Sequence, residues 1–401
     1  MDLDAVAAEV AAAVGLAEGP AGVTDVLRVI ARHEPVAARE VARRAELPVP
    51  IVAAVCNELR RRGVVDTARP VQLTGAGRAG VAAMGGPRGA GAGRAVISAR
   101  CPCCGGRGVA VPEAVARLAP GLELAAAGVP AARLELDQTH CTVDTKLRRV
   151  LSMHEAGALA GQRVLLLGDD DLVSVAIAAL AAHAGPAAGS RGLTVLDCDR
   201  GLLSYLGGQL DGLGMAAGVV EHDLREPLPG QLAGAFDVVC TDPPYTVAGA
   251  ELFLSRSVEA LRPGGGGHVF FSFGARRPAE TVAVQRLLAD MGLAVRSLVP
   301  GFNDYTGAGV LGGSSHLYHL RSTAGSSPAV TGSYAGPLYS ASARAAVTRP
   351  YRCVACGAVH RVGPGARWQR IAELKAAGCP DCGGTTLRPR PLGTRARAGR
   401  P

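Results

Sequence analysis

Aromatic side chains make up only 3% of this 401-residue chain, with a single Trp, and long apolar runs are missing. No stretch of 18 or more consecutive apolar residues occurs, so the sequence offers no candidate for a membrane-spanning helix. The first residues lack a basic leader followed by an apolar stretch, and the expected location is the cytoplasm, with no membrane partner. Eleven Cys in such a chain read as thiols or metal ligands rather than as a disulfide framework.

A hydrophobic content of 48% nevertheless suffices for folded cores, and the length calls for two or three domains. The net charge of +8 conceals opposite local signs. Residues 1–100 carry 13 basic and 10 acidic side chains, residues 101–329 carry 17 and 22, and residues 330–401 carry 12 and 2. The middle is therefore acidic and suits cationic ligands. The basic ends leave nucleic acid open as a partner.

Residues 1–83 are expected to form a winged-helix-like domain. VTDVLRVIARHE, AAREVARRAEL and VPIVAAVCNELRRRGVV read as helices, and VVDTARPVQLT as the strands of a wing. Such a module can bind DNA through its third helix, at whose end Arg60, Arg61 and Arg62 stand. Three arginines there equally make an ordinary solvated helix end. A Gly-rich linker follows at 84–95. CPCCGGRG then offers Cys101, Cys103 and Cys104, half of a zinc knuckle with only Cys141 nearby downstream. After a central domain at 96–325 come a Ser-, Ala-, Gly- and Pro-rich linker (326–350), a four-Cys module (351–386) and a basic tail expected to be disordered (387–401). Cys353, Cys356, Cys379 and Cys382 form C-x-x-C…C-x-x-C with 22 residues between the pairs. That spacing suits structural zinc in a ribbon-like module too poor in apolar residues to fold unaided.

From 163 to 321 strand and helix signals alternate. RVLLLG, LTVLDCD, AGVVEHD, FDVVCTD, GGHVFFSF, VRSLVPGF and SHLYHLR read as strands, with SVAIAALAAHA and PAETVAVQRLLADMG among the intervening helices. The pattern predicts an α/β, Rossmann-like domain of the methyltransferase type, with a doubly wound parallel sheet. Ligands collect at the carboxyl ends of such strands, where GDDD, DCD, HD and TDPPY fall. In an adenosyl-cofactor pocket Asp197, or less readily Asp199, takes the ribose hydroxyls and Asp223 the adenine amine. Asp242 stands where the transferred group meets its acceptor, and Gly168 and Asp171 belong to the loop after the first strand.

That first loop normally carries Gly-x-Gly and lies near the carboxylate of S-adenosylmethionine. Here it reads LGDDDLVS, with Asp169, Asp170 and Asp171 side by side. Two like charges about 4 Å apart cost roughly 1 kcal/mol in water and about 4 kcal/mol at an effective dielectric near 20. Decarboxylated S-adenosylmethionine ends in an ammonium instead, which a carboxylate holds, and an aminopropyl group would then move in place of a methyl. A carboxylate must also take a proton from the acceptor amine. The expected division gives Asp171 the ammonium, Asp170 the base and Asp169 an assisting role, with permutations open. One or two of the three also read as caps of the following helix.

LGDDDLVSVA, TVLDCDR, HDLREPLP, FDVVCTDPPYTV and FNDY, with DQTHCTVDTKLRRVLSMHEAG upstream, resemble the branched-chain polyamine synthases over about residues 95–325. These are also called N(4)-bis(aminopropyl)spermidine synthases. The resemblance implies sequential transfer of aminopropyl groups from decarboxylated S-adenosylmethionine to the secondary amine of spermidine or a related polyamine. It also implies a helical N-terminal domain, a homodimer and a catalytic Asp within GDDD. Gln138, Asp242, Tyr245, Asp304 and Tyr305 are the residues expected to meet the polyamine. Asn303 and Asp304 are equally good turn formers, and His154 reads as a packed helix residue. DPPY and the basic ends keep two other readings open. One is an S-adenosylmethionine-dependent methyltransferase of DNA or RNA amino groups, and the other a nucleic-acid-binding regulator that senses a polyamine.

Overall fold

The computed structural model describes residues 1–45, 47–84, 101, 103–185, 189–306, 313–339, 348–363, 365–368 and 371–389. Nearly all of the expected Gly-rich linker and basic tail lie outside the described residues, as does part of the 326–350 linker. Two compact units emerge, Met1–Leu134 with Gln138–Ala335, and Glu135–Asp137 with Gly336–Pro401.

The first unit opens with α1 (Leu3–Val14), α2 (Gly19–His33), α3 (Ala38–Arg44), α4 (Val49–Arg61) and α5 (Gly75–Ala83). Helix α1 has no counterpart among the expected elements. Asp2 caps it by accepting from the amides of Asp4 and Ala5, and Leu3, Ala7, Val10 and Ala11 bury one face. The wing is reduced to two isolated bridges, Val36 to Val71 and Val65 to Leu73. Pro70 between them has no N–H to give a ladder. The arginines at the end of α4 turn back on their own segment. Arg60 donates to Asn57 Oδ1 (2.9 Å) and to the Asp66 carbonyl (3.0 Å), while Arg61 and Arg62 both pair with Glu58.

Helices α6 (Glu113–Ala116), α7 (Ala119–Gly128) and α8 (Val143–Glu155) lead into the sheet. Its strands are β1 (Arg163–Leu167), β2 (Gly192–Asp197), β3 (Ala217–Glu221), β4 (Val238–Thr241), β5 (His268–Gly274), β6 (Leu293–Asp304) and β7 (Ser314–Ser322). The connecting helices are α9 (Val173–Ala184), α10 (Arg200–Gly212), α11 (Val247–Ala260) and α12 (Pro278–Asp290). Strand order is β3-β2-β1-β4-β5-β7-β6. All seven expected strands are present, but the sheet is mixed rather than wholly parallel, because β7 runs antiparallel between β5 and β6. Only nine residues separate β6 from β7, and a parallel crossover needs a dozen or more. The central strands β1 and β4 are buried along almost their whole length, as helices on both faces require. Among the described residues no single helix is long and apolar enough to cross a membrane.

The second unit contains β8 (Arg349–Cys353), β9 (Val359–Val362), α13 (Ile371–Ala377) and β10 (Leu387–Pro389), with its strands ordered β10-β8-β9. Its buried core is Cys353, Val362, Leu374, Cys379 and Leu387. So few side chains give little hydrophobic stabilisation, and two of them are thiols.

Candidate active site

Gly168 follows β1 with φ at +75°, a conformation that glycine adopts without strain, and turns the chain into the three aspartates. The aspartates then diverge. Asp169 points back to α9 and accepts from the amides of Val173 (2.7 Å) and Ser174 (3.1 Å), which makes it the helix cap. Leu172 beside it is held in the left-handed region at φ 53°, a strained position of the kind that marks functional sites. Asp171 is buried and accepts from the Cys141 amide (2.5 Å) and from Arg149 Nη1 (2.6 Å). Asp170 alone is partly exposed. Its Oδ2 accepts from the Thr139 amide (2.8 Å), its carbonyl accepts from His140 Nδ1 (2.7 Å), and no cationic side chain among the described residues pairs with it.

Arg149, on α8, gathers the site. Beyond Asp171 it donates to Asp242 Oδ2 (2.7 Å), to the Tyr305 hydroxyl (3.0 Å) and, through Nε, to Asn303 Oδ1 (2.7 Å). The Tyr305 hydroxyl donates to Asp242 (2.5 Å), lies 2.6 Å from the Tyr245 hydroxyl and 2.8 Å from Ser315 Oγ. The Asn303 amide donates to Ser272 and Ser315. The Tyr245 ring packs edge-on against Phe273, and Gly274 permits this, since a Cβ there would stand 2.6 Å from the ring.

This packing sets the protonation of each group. Burial pushes the Asp169 carboxyl up to about 7, with the Ser174 and Val173 amides holding it lower than burial alone would. Burial also raises Asp242 to about 6, against the pull of Arg149. Burial lifts the Asp170 carboxyl well above its ordinary range, and the charges of Asp171 and Asp242 lift it further. Asp171 moves the other way. Burial opposes its charge, but Arg149 and Lys146 overcome that and hold it below the ordinary carboxylate value. The three neighbours thus have three different environments, and Asp170 is the one available to a ligand. Nearby, His140 Nε2 is buried with no partner among the described residues, an unfilled hydrogen-bonding position that a bound molecule would satisfy.

The remaining expected residues divide between the pocket and its surroundings. Asp197 closes β2 and accepts from the Asp199 amide (2.8 Å). Asp199 caps α10 by accepting from Gly201 and Leu202, and its other oxygen accepts from Gln138 Nε2 (3.2 Å). Asp223 follows β3 on the surface and accepts from the Arg225 amide (3.0 Å), apart from the buried carboxylates. Asp304 lies outside the network of Arg149 and is committed to Arg107, while its neighbour Asn303 points inward. His154 is exposed in the last turn of α8. Cys101 and Cys104 shape a turn whose carbonyls accept from Gly105 and Arg107, and Cys141 lies apart from them beside Asp171.

Residues 122–316 match the family model of the branched-chain polyamine synthase A C-terminal domain. The N(4)-bis(aminopropyl)spermidine synthase of Thermus thermophilus is 31% identical over 312 residues, 76% of this chain and 83% of that protein. The chain belongs to the branched-chain polyamine synthase family. An uncharacterised protein of Methanocaldococcus jannaschii is 31% identical over 372 residues, 92% of this chain and 88% of its own. A crystal structure of the Thermus thermophilus branched-chain polyamine synthase, in complex with N4-aminopropylspermidine and 5'-methylthioadenosine, is 26% identical with a TM-score of 0.65. It covers 85% of this chain and 97% of that one.

Within this synthase fold Arg149, Lys146, His140 and Ser315 are site residues that the sequence reading passed over. The signal for two of them was present in DTKLRRVLSM, where Lys146 and Arg149 share a helical face with Val150 and Met153, whereas His140 and Ser315 carried none. A cation repeated on an apolar face is buried, and a buried cation needs carboxylates.

In the second unit the sulfurs of Cys353, Cys356, Cys379 and Cys382 all lie within 4.8 Å of one another. The pairs Cys353–Cys382 and Cys356–Cys379 stand 3.6 Å apart. Zn–S bonds of about 2.3 Å in a tetrahedron place sulfurs about 3.8 Å apart, so the four thiols fit that ion. His360 Nε2 adds a contact to Cys379 Sγ at 3.1 Å.

Proposed function

We propose that the chain transfers aminopropyl groups from decarboxylated S-adenosylmethionine to the secondary amine of spermidine or a related polyamine, releasing methylthioadenosine. The observation that carries this reading is the asymmetry among the carboxylates. Asp171 and Asp242 share Arg149, whereas no cation among the described residues pairs with Asp170, whose carboxyl is held well above its ordinary range. A carboxyl raised in that way accepts a proton more readily than an ordinary one, and its free side is where a polyamine nitrogen is received.

The acceptor nitrogen attacks the propyl carbon bonded to the sulfonium, the C–S bond breaks, and its electron pair returns to sulfur to give a neutral thioether. Asp170 takes the proton from the nitrogen. Asp242, near enough to raise Asp170, stabilises the positive charge that develops there. Asp171 has both oxygens engaged by Cys141 and Arg149, so the part first given to it, holding the donor ammonium, passes to Asp170 and Asp242. Asp169 acts through the helix that it caps. Asp197 is assigned to the ribose of the donor, Asp223 to its adenine, and Gln138, Tyr245 and Tyr305 to the acceptor side.

The same reading takes residues 1–83 as a winged-helix-like domain, 96–325 as the catalytic domain and 351–386 as a ribbon-like module held by structural zinc, in a cytoplasmic homodimer. Tyr245, which motivated the methyltransferase alternative, is occupied by Tyr305 and Phe273, and no observation favours that alternative. Mass spectrometry of spermidine incubated with the protein and decarboxylated S-adenosylmethionine tests the reading. One or two aminopropyl additions are expected. Methyl transfer from S-adenosylmethionine to spermidine or nucleic acid, with no aminopropyl product, would reject it.

A further inference from the structure

The second unit holds the chain's one Trp and an excess of positive charge, since residues 336–401 carry 12 basic side chains and 2 acidic ones, and residues 135–137 add two acidic ones. Even a Zn²⁺ ion with four thiolates, net −2, leaves the balance positive. Arg352, Arg361, Arg367, Lys375 and Arg388 are exposed. Between β9 and the turn that follows it runs a groove of about 640 Å³, lined by His360, Arg361, Arg367, Trp368, Pro380 and Asp381. Trp368 is half-buried. Its side chain packs against the small core, and its backbone bridges to Val362. The Arg367 guanidinium stands 4.9 Å from the ring centre, so two planar groups meet at the groove. Asp381, the one carboxylate in the wall, lies 3.4 Å from His360 Nε2.

We propose that this groove binds a single strand of RNA. Arg361 and Arg367 meet phosphates, and a base stacks on the outer face of the Arg367 guanidinium, which lies over the Trp368 ring. A guanidinium plane backed by an aromatic ring is one of the surfaces on which unstacked bases are held. A duplex buries its bases in the stack and leaves none free to stack on the guanidinium. Unpaired bases available for stacking are the rule in RNA loops, which selects RNA as the strand.

Because Trp368 is the only Trp, the chain's indole emission reports on this groove alone. The zinc-loaded full chain is titrated with a short oligouridylate, the matching oligodeoxyuridylate and a duplex RNA, following emission and anisotropy together. The single-stranded RNA is expected to quench the emission and to bind at least tenfold more tightly than the other two. Binding should weaken about sevenfold from roughly 50 to 200 mM salt, the change for two phosphate contacts on a single strand. Arg361→Ala with Arg367→Ala should lose at least tenfold in affinity while zinc content and heat unfolding stay unchanged. The full chain carrying Arg395→Gln, Arg397→Gln and Arg400→Gln should keep the quench. RNA binding without quenching, equal binding of the duplex or the DNA strand, or loss of the quench on neutralising the tail would overturn the proposal.

Discussion

Replacing Arg149 with Met tests the arrangement of charge at the strand ends. Met keeps much of the stem's bulk and removes the donors to Asn303, Asp171, Asp242 and Tyr305. Removing one partner of a buried ion pair costs about 3–5 kcal/mol, because the other charge is left uncompensated. Asp171 keeps the Cys141 amide and Asp242 keeps the Tyr305 hydroxyl. The loss should therefore sit near 4 kcal/mol at pH 8, or about 6 °C in Tm for a unit of this size. Its pH dependence is the sharper signature. In the parent protein Asp171 lies below its ordinary value, so its contribution is present above the unfolded pKa of about 3.9 and is lost only as pH falls through the lower folded value. Without Arg149, Lys146 and the Cys141 amide are left to oppose burial, so the folded pKa rises, and stability is then lost as pH rises through it. The gap between the two proteins should widen from pH 5 to pH 8 in urea denaturation. An equal gap at both would mean that Arg149 contributes packing alone, and the charge argument would be refuted.

Asp170→Asn should slow aminopropyl transfer about 10²–10⁴-fold with no drop in Tm, measured by timed mass spectrometry, and a loss under tenfold would remove Asp170 as the base. Asp169 titrates near 7, so its stabilising contribution is full below about pH 4 and is lost as pH rises through 7. Relative to Asp169→Asn, the parent should lose stability between pH 5 and pH 8, and parallel stability curves would contradict this assignment. Arg39 reaches from α3 to the carbonyls of Tyr305 (3.4 Å) and Gly313 (3.2 Å), the two ends of the β6–β7 turn. Arg39→Ala should raise KM for the polyamine several-fold and leave KM for the donor unchanged, with partial recovery in Arg39→Lys. Metal analysis should find one zinc per chain, and Cys356→Ser with Cys382→Ser should abolish it.

The parallel core of the sheet was legible because its strands are short apolar runs ending in carboxylates, a pattern that hydrophobic burial and the strand-end rule both enforce. The position of β7 was not, because strand order depends on which neighbour a hairpin docks against, and VRSLVPGF and SHLYHLR carry no mark of that choice. The acidic character of GDDD was equally plain, but not its division. Adjacent residues in a loop point in unrelated directions, so whether a carboxylate caps a helix, meets Arg149 or faces the pocket depends on contacts far along the chain. Asp304 shows the same limit. It lies beside Asn303, yet Arg107 holds one half-buried outside the network and Arg149 draws the other inward.

Arg149 sits on a helix that precedes every strand, and its partners Asp171, Asp242, Asn303 and Tyr305 lie 22, 93, 154 and 156 residues away in sequence. Contacts at such separations form only after most of the chain is available, since long loops must close first. During synthesis α8 leaves the ribosome early and waits for carboxylates that arrive in turn, and the tyrosine joining Asp242 to its arginine comes from the turn after β6. A chain released before that point has the acidic ends of β1 and β4 but no completed charge network.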